Sequence, residues 1–263
     1  MRARALEVLL MADPANKAAA ARALLDAGRA GALMLDAQAP LAEPPLLPGR
    51  PPLPRLVPAD QVPRRSPFTL AGRAALLHAI THIEFNAINL ALDAVWRFAG
   101  MPDDFYRDWL QVAGEEALHF SLLRAHLQTL GHDYGDFDAH DGLWSMTHST
   151  RNDIVARMAL VPRTLEARGL DATPPIQAKL AKAGDHAAVA ILDIILRDEV
   201  GHVAIGNHWY RWLCERDGLD PVALYPELLK RHAAPRLKPP YNLAARRSAG
   251  FTEAELRWLE DPA

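Results

Sequence analysis

Two Glu-x-x-His tetrads, Glu116 to His119 and Glu199 to His202, constrain this chain more than any other feature, because both fall inside long stretches of helical apolar period. Each follows a lone glutamate: Glu84 precedes Glu116 by 32 residues and Glu166 precedes Glu199 by 33. Residues three apart on an α-helix share a face, so one tetrad offers a carboxylate and an imidazole to the same ion. A single tetrad is weak evidence. The order Glu, Glu-x-x-His, Glu, Glu-x-x-His is much stronger, since it supplies four carboxylates and two imidazoles in two matching sets.

The helical period places these residues among core positions. A first helix over about 70–98 carries Leu77, Ile80, Glu84, Ala87, Ala91 and Val95 on one stripe. A second, beginning after Met101-Pro102-Asp103, aligns Phe105, Trp109, Val112, Glu116, His119, Leu123 and Leu127. A third over about 150–168, ending at Gly169, has Ile154, Met158, Pro162, Leu165 and Glu166 near its inner face; a fourth over about 185–216 presents Leu192, Ile195, Glu199, His202, Gly206, Trp209 and Leu213. Burying ionised carboxylates without partners is costly, and no Lys or Arg shares these stripes. The competing reading has the glutamates facing solvent on helices misjudged by one step, and it leaves the matched order unexplained. The first two helices are joined by a few residues, and about 18 residues from Gly131 to Ser149 separate the second from the third. This is the connectivity of a four-helix bundle with one long crossover, and ferritin-like di-iron and di-manganese carboxylate bundles take their ligands in this order. The expected fold is therefore all-α, a ferritin-like four-helix bundle over 69–218, with metal ligands Glu84, Glu116, His119, Glu166, Glu199 and His202.

Pro162, one turn before Glu166, removes a backbone hydrogen bond and is expected to kink the third helix. The kink is either a tolerated irregularity or a device that lets Glu166 shift. Glu115 and Asp198 immediately precede the tetrads. Metal-bound imidazoles commonly donate their second N–H to a carboxylate, so Asp198 is a candidate to orient His119 and Glu115 to orient His202; solvated charges are the alternative. His78 and His82 point about 120–160° away from Glu84 on a helix of 3.6 residues per turn and are read as hydrogen-bonded or exposed. Most of the histidines and aspartates of the crossover are read as solvent-facing polar groups, and Trp96, Trp109, Trp209 and Trp212 as core.

Residues 1–68 form a separate segment. Its first 36 residues suggest two short helices broken at Asp13-Pro14, an N-cap followed by proline at the first helical position. From Ala39 to Phe68 the chain holds ten of its 21 prolines and one glycine, Gly49, which excludes helix and central strand. It is either a linker or an extended strap, and Leu46, Leu47, Leu53, Leu56 and Val57 favour the strap. Residues 219–263 form a C-terminal extension. No acidic residue lies between Glu227 and Glu253, whereas Lys230, Arg231, Arg236, Lys238, Arg246 and Arg247 do. Arg236, Lys238, Arg246 and Arg247 are candidates to hold an anionic ligand; a basic tail packed on the bundle is the alternative.

Composition sets limits. The net charge of −3 gives no global basic field for nucleic acid. The single cysteine, Cys214, precludes an internal disulfide and a cysteine-based zinc or iron–sulfur site. The opening apolar stretch is too short for a secretory signal and no later run approaches about 20 apolar residues, so a cytoplasmic protein without membrane contact is expected.

Several stretches carry a family resemblance: His82-Ile83-Glu84 through Ala91-Leu92-Asp93, the Glu-Glu-x-x-His and Asp-Glu-x-x-His motifs, Val161-Pro162-Arg163-Thr164-Leu165-Glu166-Ala167-Arg168-Gly169, and Pro239-Pro240-Tyr241-Asn242. The chain resembles the ferritin-like DUF455 family over nearly its whole length, and is more distantly similar to the bacterial tRNA-modifying di-iron hydroxylase. The resemblance implies a ferritin-like bundle with a dinuclear metal centre and carries no reaction with it. The leading expectation is a di-iron, or mixed iron/manganese, O₂-activating hydroxylase or mono-oxygenase acting on a small or nucleotide-like substrate, with electrons from a separate reductase. Mn or Zn are possible substitutes for the two Fe ions. A non-storage ferroxidase or peroxide-detoxifying protein and an RNA-modifying hydroxylase are the alternatives, in a monomer or small homo-oligomer.

Overall fold

The computed structural model describes residues 1–261 and is all-α; among them no strand occurs, and the only extended pairing is an isolated bridge between Leu56 and Ala139. The helices are α1 (Arg2–Leu9), α2 (Pro14–Arg29), α3 (Leu70–Arg97), α4 (Asp103–Thr129), α5 (Gly142–Ser149), α6 (Ile154–Leu160), α7 (Ala167–Lys182), α8 (His186–Asp217), α9 (Pro221–Arg231), α10 (Leu243–Ser248) and α11 (Glu253–Glu260). A π-helical segment, Val161–Glu166, joins α6 to α7. Among the described residues no helix is long and apolar enough to cross a membrane. The chain divides into two compact units, residues 1–144 with 179–191 and residues 145–178 with 192–263.

In the first unit α3 is the central element. It is buried without a break from Glu84 to Trp96, as a helix must be when it is covered on all sides. It packs on α4 and α1, and α2 packs on α4. Its start is capped by Thr69, whose hydroxyl accepts from Gly72 N at 3.1 Å; α2 starts at Pro14 behind Asp13, which accepts from Asn16 N at 2.8 Å. Asp185, belonging to the same unit, takes His126 Nε2 at 2.9 Å and caps α8 through Ala188 N at 3.0 Å.

The proline-rich stretch cannot satisfy its own carbonyls, so side chains from the helices do so. Arg2 donates to Ala39 O at 2.8 Å and Trp96 O at 2.7 Å, and the buried Lys17 ammonium to Gly49 O at 2.7 Å and Asn89 Oδ1 at 2.5 Å. Gly49 also donates its N–H to Leu9 O at 2.9 Å, and a Cβ there would overlap the Leu10 carbonyl. Arg55 and Arg50 reach Asp138 and Asp141 in the crossover. That crossover contains α5.

Two buried histidines lie on the opposite side of α3 from Glu84. His78 Nε2 accepts from Gly135 N at 2.9 Å, and His82 Nδ1 lies 2.9 Å from Tyr134 Oη with Asn86 Nδ2 3.0 Å from its Nε2. They are hydrogen-bonded, one of the two states expected, and neither is exposed.

In the second unit, α6 is capped by Asp153 on Ala156 N at 2.9 Å, and the buried Arg157 donates from Nε to Thr150 Oγ1 at 2.9 Å. The expected end of this helix at Gly169 is not observed. The helix widens into the π segment at Pro162, then continues through Gly169 and the Pro174-Pro175 pair to Lys182. Pro162 has no N–H for an i−4 carbonyl and its ring would press on that carbonyl. One wider turn relieves both problems: Ala167 N–H donates to Pro162 O five residues back, and Thr164 Oγ1 to Ala159 O at 2.7 Å. Ala167, Leu170, Val203 and Ala249 then form an apolar cluster extended by Leu196, Val200, Ala245 and Phe251.

Candidate metal centre

The first ligand set lies within the first unit. Glu84 on α3 is 3% exposed, and Glu116 and His119, one turn apart on α4, are fully buried. His119 Nδ1 lies 3.3 Å from Glu116 Oε2 and 3.5 Å from Glu84 Oε2. Potential ligand atoms of all three residues fall within 4.8 Å of one another. The helical period explains the convergence: positions 116 and 119 belong to the same inward stripe as Trp109, Val112 and Leu123, all buried.

The electrostatics of this set call for a cation. Burial, followed by the charge of Glu116, pushes the Glu84 carboxyl up to about 8, against the pull of His119. Among the described residues the one ion-pair partner of Glu84 is the His119 imidazole, and Glu84 Oε2 is buried without a hydrogen bond. Two carboxylates and an imidazole nitrogen turned toward one another in an apolar interior are the donor set of a divalent transition metal. The residues fit such an ion.

The second set lies within the second unit. Glu166 and Glu199 are each 7% exposed and His202 is 1% exposed. Glu199 and His202 share one face of α8, and Glu166 closes the π segment. Gly169, one turn beyond Glu166, faces Glu199: a Cβ there would lie 3.9 Å from the Glu199 carboxyl carbon. The sequence reading missed this role by taking Gly169 as a helix end. A glycine three residues after a candidate ligand is the signal that could have suggested close approach.

The flanking carboxylates have partners on their own helices. Glu115 Oε1 accepts from Gln111 Nε2 at 3.0 Å, and Asp198 accepts from Arg197 at 2.8 and 3.1 Å. Of the four basic residues considered for an anionic ligand, Arg246 is only 1% exposed and forms a bidentate pair with Asp171 at 3.0 and 2.7 Å. It is therefore not accessible to such a ligand. Arg247 pairs with Glu253 at 2.6 Å on the surface.

Fold and site together define an all-α protein with a buried cluster of carboxylates and imidazole able to hold a metal ion. The model of the family described as "Protein of unknown function (DUF455)" matches residues 10–257, and the chain belongs to that family. It is 56% identical over 213 residues, 78% of this chain and 74% of the relative, to an "Uncharacterized protein" of Haemophilus influenzae. No solved structure matches the chain.

Proposed function

We propose that the two ligand sets belong to one dinuclear centre in a ferritin-like bundle, and that the protein is an O₂-activating oxidoreductase of the hydroxylase type. Glu84, Glu116 and His119 hold one ion and Glu166, Glu199 and His202 the other. The observation that carries this reading is the buried Glu84, Glu116 and His119 set, in which burial and the charge of Glu116 raise the Glu84 carboxyl to about 8 although the His119 imidazole lies beside it. The recurrence of the same residue types at nearly the same spacing in Glu166, Glu199 and His202 supports a second ion.

Two ferrous ions would supply the electrons with which O₂ is reduced. The chain's own part is to fix ligand geometry and keep bulk water from the site. Leu77, Ala87, Ile88 and Val112, all buried, line the ligand-bearing helices with apolar groups that offer water no partner. Electrons for repeated turnover come from a separate reductase, and the substrate is a small organic molecule.

Anaerobic loading with Fe(II), metal counting and measurement of O₂ uptake per chain test this. The expected result is two ions per chain and rapid O₂ consumption, both lost in Glu116→Ala and Glu199→Ala. Fewer than one ion per chain in the wild type would overturn the reading.

A further inference from the structure

We infer that Arg163 is a positioning residue for Glu166, and that the C-terminal extension, through Glu255, holds the π segment in the rotational phase that presents this carboxylate. The inference rests on the reading above, in which Glu166 is a ligand.

The π segment fixes where Glu166 points. One extra residue in a helical turn rotates every later side chain by about 100° relative to an uninterrupted α-helix. If residues 161–166 rewound as α-helix, Glu166 and Gly169 would turn together away from the face on which Gly169 now meets Glu199. Wide turns have poorer packing and survive where their surroundings over-determine them. Those surroundings come from α8 and from the C-terminal extension.

Arg163 is the centre of that framework. Its side chain is 1% exposed, with Nη1 2.8 Å from Asn207 Oδ1 on α8 and Nη2 2.9 Å from Glu255 Oε1 on α11. The guanidinium is caged by Tyr210, Tyr225 and Phe251, with ring centroids 5.0, 4.9 and 4.8 Å away. Glu255 is itself fixed: its Oε2 accepts from Arg211 at 2.9 Å and from Thr252 N at 2.7 Å. Asn207 donates to Ala249 O at 2.8 Å. The next residue of the π segment is held from the same side, Thr164 Oγ1 lying 2.7 Å from Tyr225 Oη. Consecutive side chains, three and two residues before Glu166, are thus bound by helices from the last 45 residues of the chain.

Glu255→Gln removes the charge that holds Arg163 and keeps the size. Tyr225→Phe removes the bond to Thr164. Glu253→Gln, two residues away on α11 and paired with the surface Arg247, is the control. Each protein, full length, is titrated anaerobically with Co(II), followed by metal count and visible absorption, and its amide exchange over residues 159–170 is measured. Wild type and Glu253→Gln are expected to take up both ions alike. Glu255→Gln should bind the second ion about tenfold more weakly, the scale seen when a ligand's supporting partner is lost, with an altered Co(II) spectrum and faster exchange confined to 161–168; Tyr225→Phe should shift in the same direction by less. If Glu255→Gln keeps wild-type Co(II) affinity, spectrum and exchange, the positioning role is wrong while the metal reading stands. If the wild type takes up no ion, the metal reading fails and the positioning role with it.

Discussion

Gly206 of α8 stands directly against Pro162 of the π segment: a Cβ at Gly206 would lie 2.5 Å from Pro162 Cβ and 2.6 Å from its Cγ. The proline ring is rigid and cannot swing away, so Gly206→Ala must separate α8 from the segment that carries Glu166. Overpacking of this kind costs about 1–3 kcal/mol. A thermal melt followed by circular dichroism should show a lower midpoint, and an unchanged or higher midpoint would show that the two elements are not in register as described. Gly201→Ala on the same helix, where an added Cβ meets nothing within 4 Å, should not destabilise.

The same pair marks the boundary of what the sequence makes legible. Helices α3, α4 and α8 lie within a residue or two of their expected limits, because an apolar stripe of period 3.6 with a capping residue at one end is local information. Glu84, Glu116 and His119 were readable as a set for the same reason: polar residues replaced core positions on an otherwise apolar stripe. The π segment was not, since Pro162 signals only that an α-helix is interrupted. Whether the chain then kinks, stops or widens depends on Gly206, which meets Pro162 from a distant helix, and on Arg163, whose partners Asn207 and Glu255 lie 44 and 92 residues further along the chain. Nor did the basic composition of the C-terminal extension reveal that Arg246 faces Asp171, 75 residues earlier.

Metal binding should be visible as stability. An ion that binds the folded chain and not the unfolded one adds about 2.7 kcal/mol at a free concentration a hundredfold above its dissociation constant. Melting midpoints in Co(II) or Fe(II) should therefore rise with metal concentration, and removal with a chelator should reverse the rise. His119→Ala should lose most of it, because the imidazole and both carboxylates of the first set converge at His119 Nδ1. A midpoint independent of metal in the wild type, or equal gains in wild type and His119→Ala, would remove these residues as ligands.

Arg246 and Arg247 are neighbours in sequence with opposite expectations. Arg246 is buried with Asp171, which also accepts from Asn242 N at 2.8 Å and has Arg168 3.5 Å away, so Arg246→Ala strips a buried carboxylate of its closest ion-pair partner and should cost about 3 kcal/mol. Arg247 and Glu253 are half exposed, and Arg247→Ala should leave the melting midpoint where it was. Urea titrations of both variants check the contrast; similar midpoints for the two would mean that Arg246 is solvated.

Lys17 gives the protein a pH dependence of defined sign. Burial, and then the charge of Arg50, lowers its ammonium from 10.5 to about 7. The neutral amine has two N–H groups, and its site offers two acceptors, Gly49 O and Asn89 Oδ1. Between about pH 7 and 10.5 the folded chain has released this proton while the unfolded chain still holds it, so stability rises with pH across that window. The slope for one proton is at most about 1.4 kcal/mol per pH unit. Below pH 7 both states are protonated and the contribution is constant. Lys17→Met fills the same space without a titratable group and should flatten the rise between pH 7 and 10, as read from urea midpoints at several pH values; an equally steep rise in the variant would assign it to another residue.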